Sequence, residues 1–201
     1  MPRQPTRRAA VLLPLILAGC GSLLSGRPYI ETKRFVLAPH RAGAPAARRP
    51  RRTILIRTLR AAPGMDRRGL RSVLADGTED IDFYAEWAAA PVDAAEQALR
   101  DWVGASGLFS AVLAPGSRAD ADVTLEGELT ELAAFPGQGE ARAGLSVVLL
   151  DPRGRVLSQT RAVGRAPLTD AGRTPEARAA AMTAALGDAF AGLEPALRRV
   201  A

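Results

Sequence analysis

The first twenty residues decide how much of this chain is left to fold. Arg3, Arg7 and Arg8 precede an apolar run from Ala9 to Leu17, which closes on the small residues Ala18, Gly19 and Cys20. A basic start, a short apolar stretch and a small-residue cut site are the parts of a secretory signal, which export removes. A membrane-spanning helix is the competing assignment. The apolar run covers about half of the roughly 20 residues needed to cross hydrocarbon, and Pro14 interrupts it. Residues 1–19 are therefore expected to leave as a signal peptide. Cys20 to Ala201 then form the mature chain, long enough for one domain with its own core. Cys20 is the only cysteine, so no intramolecular disulfide can form even in an oxidising compartment.

The tetrapeptide Leu17-Ala18-Gly19-Cys20 resembles the lipobox of bacterial lipoproteins. By that resemblance Leu17, Ala18 and Gly19 are read by the signal peptidase. The Cys20 thiol takes a diacylglycerol, and its freed amine takes a fatty acyl chain such as palmitate. No other cofactor is expected. Each buried CH₂ contributes about 0.8 kcal/mol, so two or three chains hold far more firmly than one. The mature protein would be anchored to a membrane without crossing it. Gly21, where aspartate would stand in a retained lipoprotein, leans by resemblance to enterobacterial sorting towards the periplasmic face of the outer membrane.

The formal charge of +6 invites a nucleic-acid reading, but its distribution argues otherwise. Residues 1–52 hold eleven Lys or Arg against Glu31 alone, while residues 53–201 hold sixteen Arg against twenty Asp or Glu. The globular part is mildly acidic, so no nucleic-acid surface is expected. The cluster Arg48-Arg49-Pro50-Arg51-Arg52 reads as a solvated loop or as a contact to anionic headgroups. Lysine occurs once against twenty-six arginines, a genomic bias rather than selected chemistry.

Residues 20–32 are expected to form the lipidated N-terminus and a flexible tether, and residues 33–201 the folded domain. Arg34 to Leu37 suggests a brief strand, followed by an exposed Pro- and Arg-rich loop over 38–52. Thr53 to Arg60 reads as a strand, with two shorter ones around 71–74 and 81–87 separated by the Asp76-Gly77 turn. Pro91 opens a helix whose Val92, Ala95, Leu99, Trp102 and Val103 recur at helical spacing, ended by Gly104 or Gly107. Strands over 122–132, 143–150 and 155–163 follow, the last two joined through Asp151-Pro152-Arg153-Gly154. Thr174 caps a final helix, with Pro175 at its first position and a bend expected near Gly192 and Pro195.

The order of these features resembles the ABC-type transport auxiliary lipoproteins, the Pqi-type lipoproteins that accompany MCE-domain lipid transporters. The resemblance rests on Phe35-Val36-Leu37, on Ile54 to Asp66, on Tyr84, Trp87 and Ala88, and on Gly107 to Val112. Ala121-Asp122, the Leu125, Gly127, Leu129 strand and the Asp151 to Gly154 hairpin complete it. It implies an α/β fold: a single three-layer domain with a central mixed β-sheet and two main helices. It also implies a non-catalytic adapter docking a transporter to the membrane, with an MCE-domain substrate-binding protein, an ABC permease and an ATPase as partners. A ring-like partner would leave room for a homo-oligomer. Two other readings stand beside it: a periplasmic lipid-binding shuttle with an apolar pocket, and a structural envelope lipoprotein with no transport role.

Chemistry of its own is not expected. His40 is the lone histidine, set in a loop, and the only cysteine is committed to lipid, so no nucleophile-base pair can be assembled from them. Asp120 with Asp122, and Asp80 with Asp82 and Glu86, share spacings seen at metal and acid-base sites. They lack the further ligands such sites need and read as wet strand faces. Gly137 and Gly139 lack the third glycine of a phosphate cradle. Trp102 falls on the apolar helical stripe and is expected in the core, whereas Trp87 ends a strand and suits core or rim. A partner surface is therefore sought at Tyr84 and Trp87, then at the 134–140 tip with Phe135.

Overall fold

The structure, a computed structural model, describes residues 29–44 and 50–201. Leu17 to Cys20 and the Arg48-Arg49 pair lie outside the described residues, so the lipobox is not seen in it. Thr32–Ala201 forms one compact unit.

The sheet is organised around one long strand, β7 (Val123–Phe135). Along one edge it pairs antiparallel with β8 (Glu140–Leu150), which in turn pairs antiparallel with β9 (Val156–Pro167). The other edge is shared by three short parallel strands: β2 (Thr53–Ile56) at its start, β3 (Arg60–Ala61) in its middle and β4 (Gly69–Val73) at its end. β6 (Ala111–Leu113) extends the sheet beyond β2. β5 (Glu79–Trp87) pairs antiparallel with β4, and β1 (Lys33–Phe35) runs parallel to β5. The result is the mixed sheet that the family resemblance implies.

Two departures have local causes. The strand expected over 53–60 is split into β2 and β3, because Leu59 N–H donates to the Glu96 carboxylate at 2.8 Å and so leaves the ladder. β6 has three residues, too few for an alternation to register, and only its pairing with β2 defines it.

Among the described residues the two α-helices are α1 (Pro91–Ser106) and α2 (Pro175–Val200). Pro91 sits where the N–H would be orphaned in any case, and Gly107, at φ 65°, ends α1 in the left-handed region that favours glycine. Thr174 Oγ1 accepts from Ala177 N–H and caps α2. Thr174→Ala should lower stability by about 1 kcal/mol, read by urea denaturation. α2 continues through Pro195, and Arg52 closes its far end by donating to the Val200 carbonyl at 2.8 Å.

Both helices lie over one face of the sheet. Strand positions Leu125, Leu129, Leu145, Leu149 and Ala162 point to that face, where Met182, Leu186 and Phe190 of α2 and Leu99 of α1 fill the core. The opposite face of β7, β8 and β9 carries Glu126, Glu128, Ser146, Gln159 and Arg161. An extended strap, residues 36–44, runs along α2, with Leu37 buried and Pro39 against Gly187. Over 38–44 the segment is without helix or strand and mostly exposed, and Pro39 and Arg41 are the residues that pack against the helices.

Candidate functional site

The most exposed large apolar side chain of the sheet, Phe83, sits on β5 next to the half-exposed Tyr84. Phe83 is 89 % exposed and Tyr84 48 %, with their ring centroids 6.5 Å apart. A bulge puts them there. Gly69 pairs with Glu86 and Arg71 with Ile81, so one intervening residue on β4 faces four on β5. Such an insertion re-aims side chains. Asp82 fixes its shape: one carboxylate oxygen accepts Tyr84 N–H at 2.8 Å, and the other accepts Arg178 Nη2 of α2 at 2.6 Å. Arg178 also donates to Ser72 at 3.3 Å. Gly69 leaves the room, since a Cβ there would stand 2.6 Å from Ile81 Cγ2 and 2.7 Å from the Asp82 carbonyl oxygen. Gly69→Ala should lift the bulge and cost about 1–3 kcal/mol in denaturant unfolding.

Beside this bulge the chain enters the domain. Lys33 pairs in register with Ala85, Arg34 with Glu86 and Phe35 with Trp87. Glu86 accepts from Arg34 at 2.8 Å and Arg68 at 3.1 Å. The Arg34 hydrogen bond, chiefly, holds its carboxyl below the usual range.

The strap that follows β1 is locked by one carboxylate. Glu194 accepts from Arg41 Nε at 2.8 Å and Nη2 at 3.3 Å, from Arg198 Nη2 at 2.9 Å, and from the Trp102 indole N–H at 3.0 Å. Burial pushes Glu194 up, but the Arg41, Arg198 and Trp102 donors together outweigh it and hold its carboxyl below the ordinary value. Trp102 also meets Phe190 edge-on at 5.6 Å, so the node ties strap, α1 and α2 together. Between strap and α2 runs an open groove of about 1020 Å³. Its walls include Val36, Pro39, Ala180, Ala184 and Ala191, with His40 and Arg198 among its polar residues.

The aromatic positions sought as a partner surface separate here. Tyr84 is exposed, but Trp87 is 2 % exposed and Phe135 7 %, so neither can present a contact. Trp87 turns inward beside Met65, Pro91 and Leu132, and Phe135 is covered by the Arg142 guanidinium 4.3 Å from its ring centre. Phe83 was missed because regular alternation places it on the same face as Ile81, Ala85 and Trp87; the bulge turns it out. The Asp82-Phe83-Tyr84 triplet, an acid beside two adjacent aromatics in a strand, was the available signal.

Three of the carboxylates singled out by spacing, Asp122, Asp82 and Glu86, have structural occupations. Asp122 accepts from Thr53 N–H at 2.8 Å and Thr53 Oγ1 at 3.0 Å, which lowers its pKa and joins β2 to the start of β7. Asp82 and Glu86 are taken by arginines as above. Among the described residues no group of three or more His, Cys, Asp or Glu is placed to hold a metal. Among them, too, no helix is long and apolar enough to cross a membrane.

The fold has solved counterparts. A Xanthomonas campestris protein of the DUF330 family superposes with a TM-score of 0.70 at 21 % identity, over 81 % of this chain and 94 % of that one. A second crystal structure, of an uncharacterised protein, gives 0.64 at 10 % identity over 83 % and 99 % of the two chains. At these identities the likeness is one of fold. No curated protein matches the sequence. The family model for the ABC-type transport auxiliary lipoprotein component matches residues 35–194, from β1 to the Glu194 node. The chain belongs to the ABC-type transport auxiliary lipoprotein family.

Proposed function

We propose that this protein is a lipid-anchored periplasmic accessory subunit of an ABC/MCE-type lipid transport system, acting as a non-catalytic adapter at the membrane. The family match carries the transport association. The lipobox ending at Cys20 supports the anchor, and Gly21 supports the outer membrane as its site. Energy would come from an ATPase elsewhere in the assembly and passage from its permease and MCE-domain protein. This chain would supply position.

Affinity purification of the C-terminally tagged protein from detergent-solubilised envelopes tests the association. The expected result is co-recovery of an MCE-domain subunit with a permease and an ATPase, without stoichiometric lipid. The shuttle reading has one observation in its favour, the groove under the strap, whose volume suits a ligand. Near-equimolar lipid with no protein partner would replace the adapter by the shuttle.

The anchor has a separate test. Cells fed labelled palmitate should incorporate it into the wild-type protein and not into Cys20→Ser. An N-terminal peptide carrying an unmodified Cys20 in the wild type would end the anchor reading.

A further inference from the structure

We infer that the Phe83–Tyr84 bulge is a second membrane contact, seating the domain on the same bilayer that its own anchor occupies. This rests on the acylation of Cys20 proposed above.

The place of the bulge carries the argument. β1 begins at Lys33, in register with Ala85, so the tether joins the domain next to Tyr84. Only residues 21–32 separate that point from the acylated cysteine. A chain of this length reaches about 40 Å at most, when fully stretched. The bulge is thus held within a few nanometres of the headgroups whatever the domain's orientation. At such range the effective concentration of the surface is high, and a weak contact suffices.

The chemistry of the patch suits an interface between water and hydrocarbon. Tyrosine combines an apolar ring with a polar tip, the combination enriched at that depth, and phenylalanine adds purely apolar area. Two aromatic side chains fall well short of the roughly 800 Å² per partner that an independent protein-protein interface needs. They are enough for a surface already tethered to its target. Their mounting is also rigid: Asp82, clamped by Arg178, fixes the bulge to α2. Around it the five cations Lys33, Arg34, Arg68, Arg71 and Arg178 are all paired, with Glu176, Glu86, Glu79 and Asp82, and Asp80 on the same strand adds a fifth carboxylate. The contact should therefore work on zwitterionic lipid and be insensitive to salt.

The test uses the acylated full chain, in which Cys20 is blocked and a new cysteine is the only free thiol. Asp80→Cys puts a polarity-sensitive fluorophore three residues from Phe83 while keeping both aromatics. Val156→Cys puts the same probe on exposed β9, where the sheet pairs with the start of β7; β4 and β5 join it at the other end. The proteins are reconstituted in phosphatidylcholine vesicles with and without a lipid spin-labelled near the headgroup. Quenching at the Asp80→Cys probe should exceed that at Val156→Cys by about twofold or more, and adding Phe83→Ser and Tyr84→Ser should remove the difference. Equal, weak quenching at both positions would overturn the proposal and leave the domain hanging free. A probe unquenched by lipid but shielded when the purified transporter is added would overturn it in favour of a protein-docking surface. Loss of the unsubstituted protein from the floating vesicles would mean that the anchor itself has failed, and the proposal with it.

Discussion

Gly164→Ala is expected to destabilise the domain by about 3–5 kcal/mol, a large part of the 5–15 kcal/mol that holds a domain of this kind folded. Gly164 lies in β9 on the face that meets α2. A Cβ there would stand 2.0 Å from the Ala185 carbonyl oxygen, 2.2 Å from the Ala189 nitrogen and 2.9 Å from the Ala189 Cα. Real Cβ atoms do not approach other atoms so closely, and all three obstacles are backbone. No side-chain rotation relieves them. The helix must move outward by about an ångström or more, and its buried Met182, Leu186 and Phe190 must move with it. Opening a close-packed interface loses dispersion contacts all along it, so the cost exceeds the usual 1–3 kcal/mol of a single overpacked methyl group. Two other glycines give the control. Gly192, within α2, would bring its Cβ to 3.4 Å from Ala162 Cβ, an ordinary contact, and Gly104 in α1 has open space around it. Gly192→Ala and Gly104→Ala should therefore be neutral or stabilise by up to about 1 kcal/mol, through helix propensity. Urea unfolding of the three variants decides the matter. Similar midpoints for Gly164→Ala and the wild type would mean that α2 does not rest on β9 as described.

How far the sequence reveals such features depends on the range of the interaction. Thr174 with Pro175, the Asp76-Gly77 turn and Gly107 act within a few residues of themselves, and each is where its chemistry predicts. Long alternating runs were legible too: β7, β8 and the beginning of β9 follow from periodicity, though all three run further than the apolar pattern suggests. The strap was not legible. Prolines, Gly43 and arginines between 38 and 52 describe a loop, and nothing local says that Arg41 pairs with Glu194, 153 positions away. The bulge was hidden for the opposite reason. Its strand looks regular, and only the missing side chain at Gly69 across the ladder reveals where β5 can fold over. Trp87 and Phe135 were candidate contacts because large aromatics serve cores and interfaces alike. Burial separates the two roles, and burial is a property of the whole fold.

Removing the Glu194 carboxylate should cost about 3 kcal/mol, and the loss should appear first at the strap. Glu194 and Arg41 are 11 % and 9 % exposed, so each needs the other to offset desolvation. The two partners are unequal, however. Arg41→Ala leaves Glu194 still holding Arg198 and the Trp102 N–H, and should cost clearly less than Glu194→Ala, which strands Arg41 and the indole together. Arg41 lies on a peripheral segment and can escape to water by peeling away. Glu194→Ala is therefore expected to raise amide exchange over residues 36–44 well before the core strands β7 and β8 respond. The same logic sets the pH dependence. The Glu194 pKa is lowered on folding. Its contribution is thus fully present above the unfolded value near 4.3, and is lost as the pH falls through the lower folded value. Strap exchange in the wild type, corrected for the intrinsic pH dependence, should be flat from neutral down to about pH 5 and accelerate below it. In Glu194→Ala it should be fast at every pH. A strap that stays protected in the variant, or one that opens in the wild type near neutrality, would show that something other than this carboxylate holds residues 36–44 to the helices.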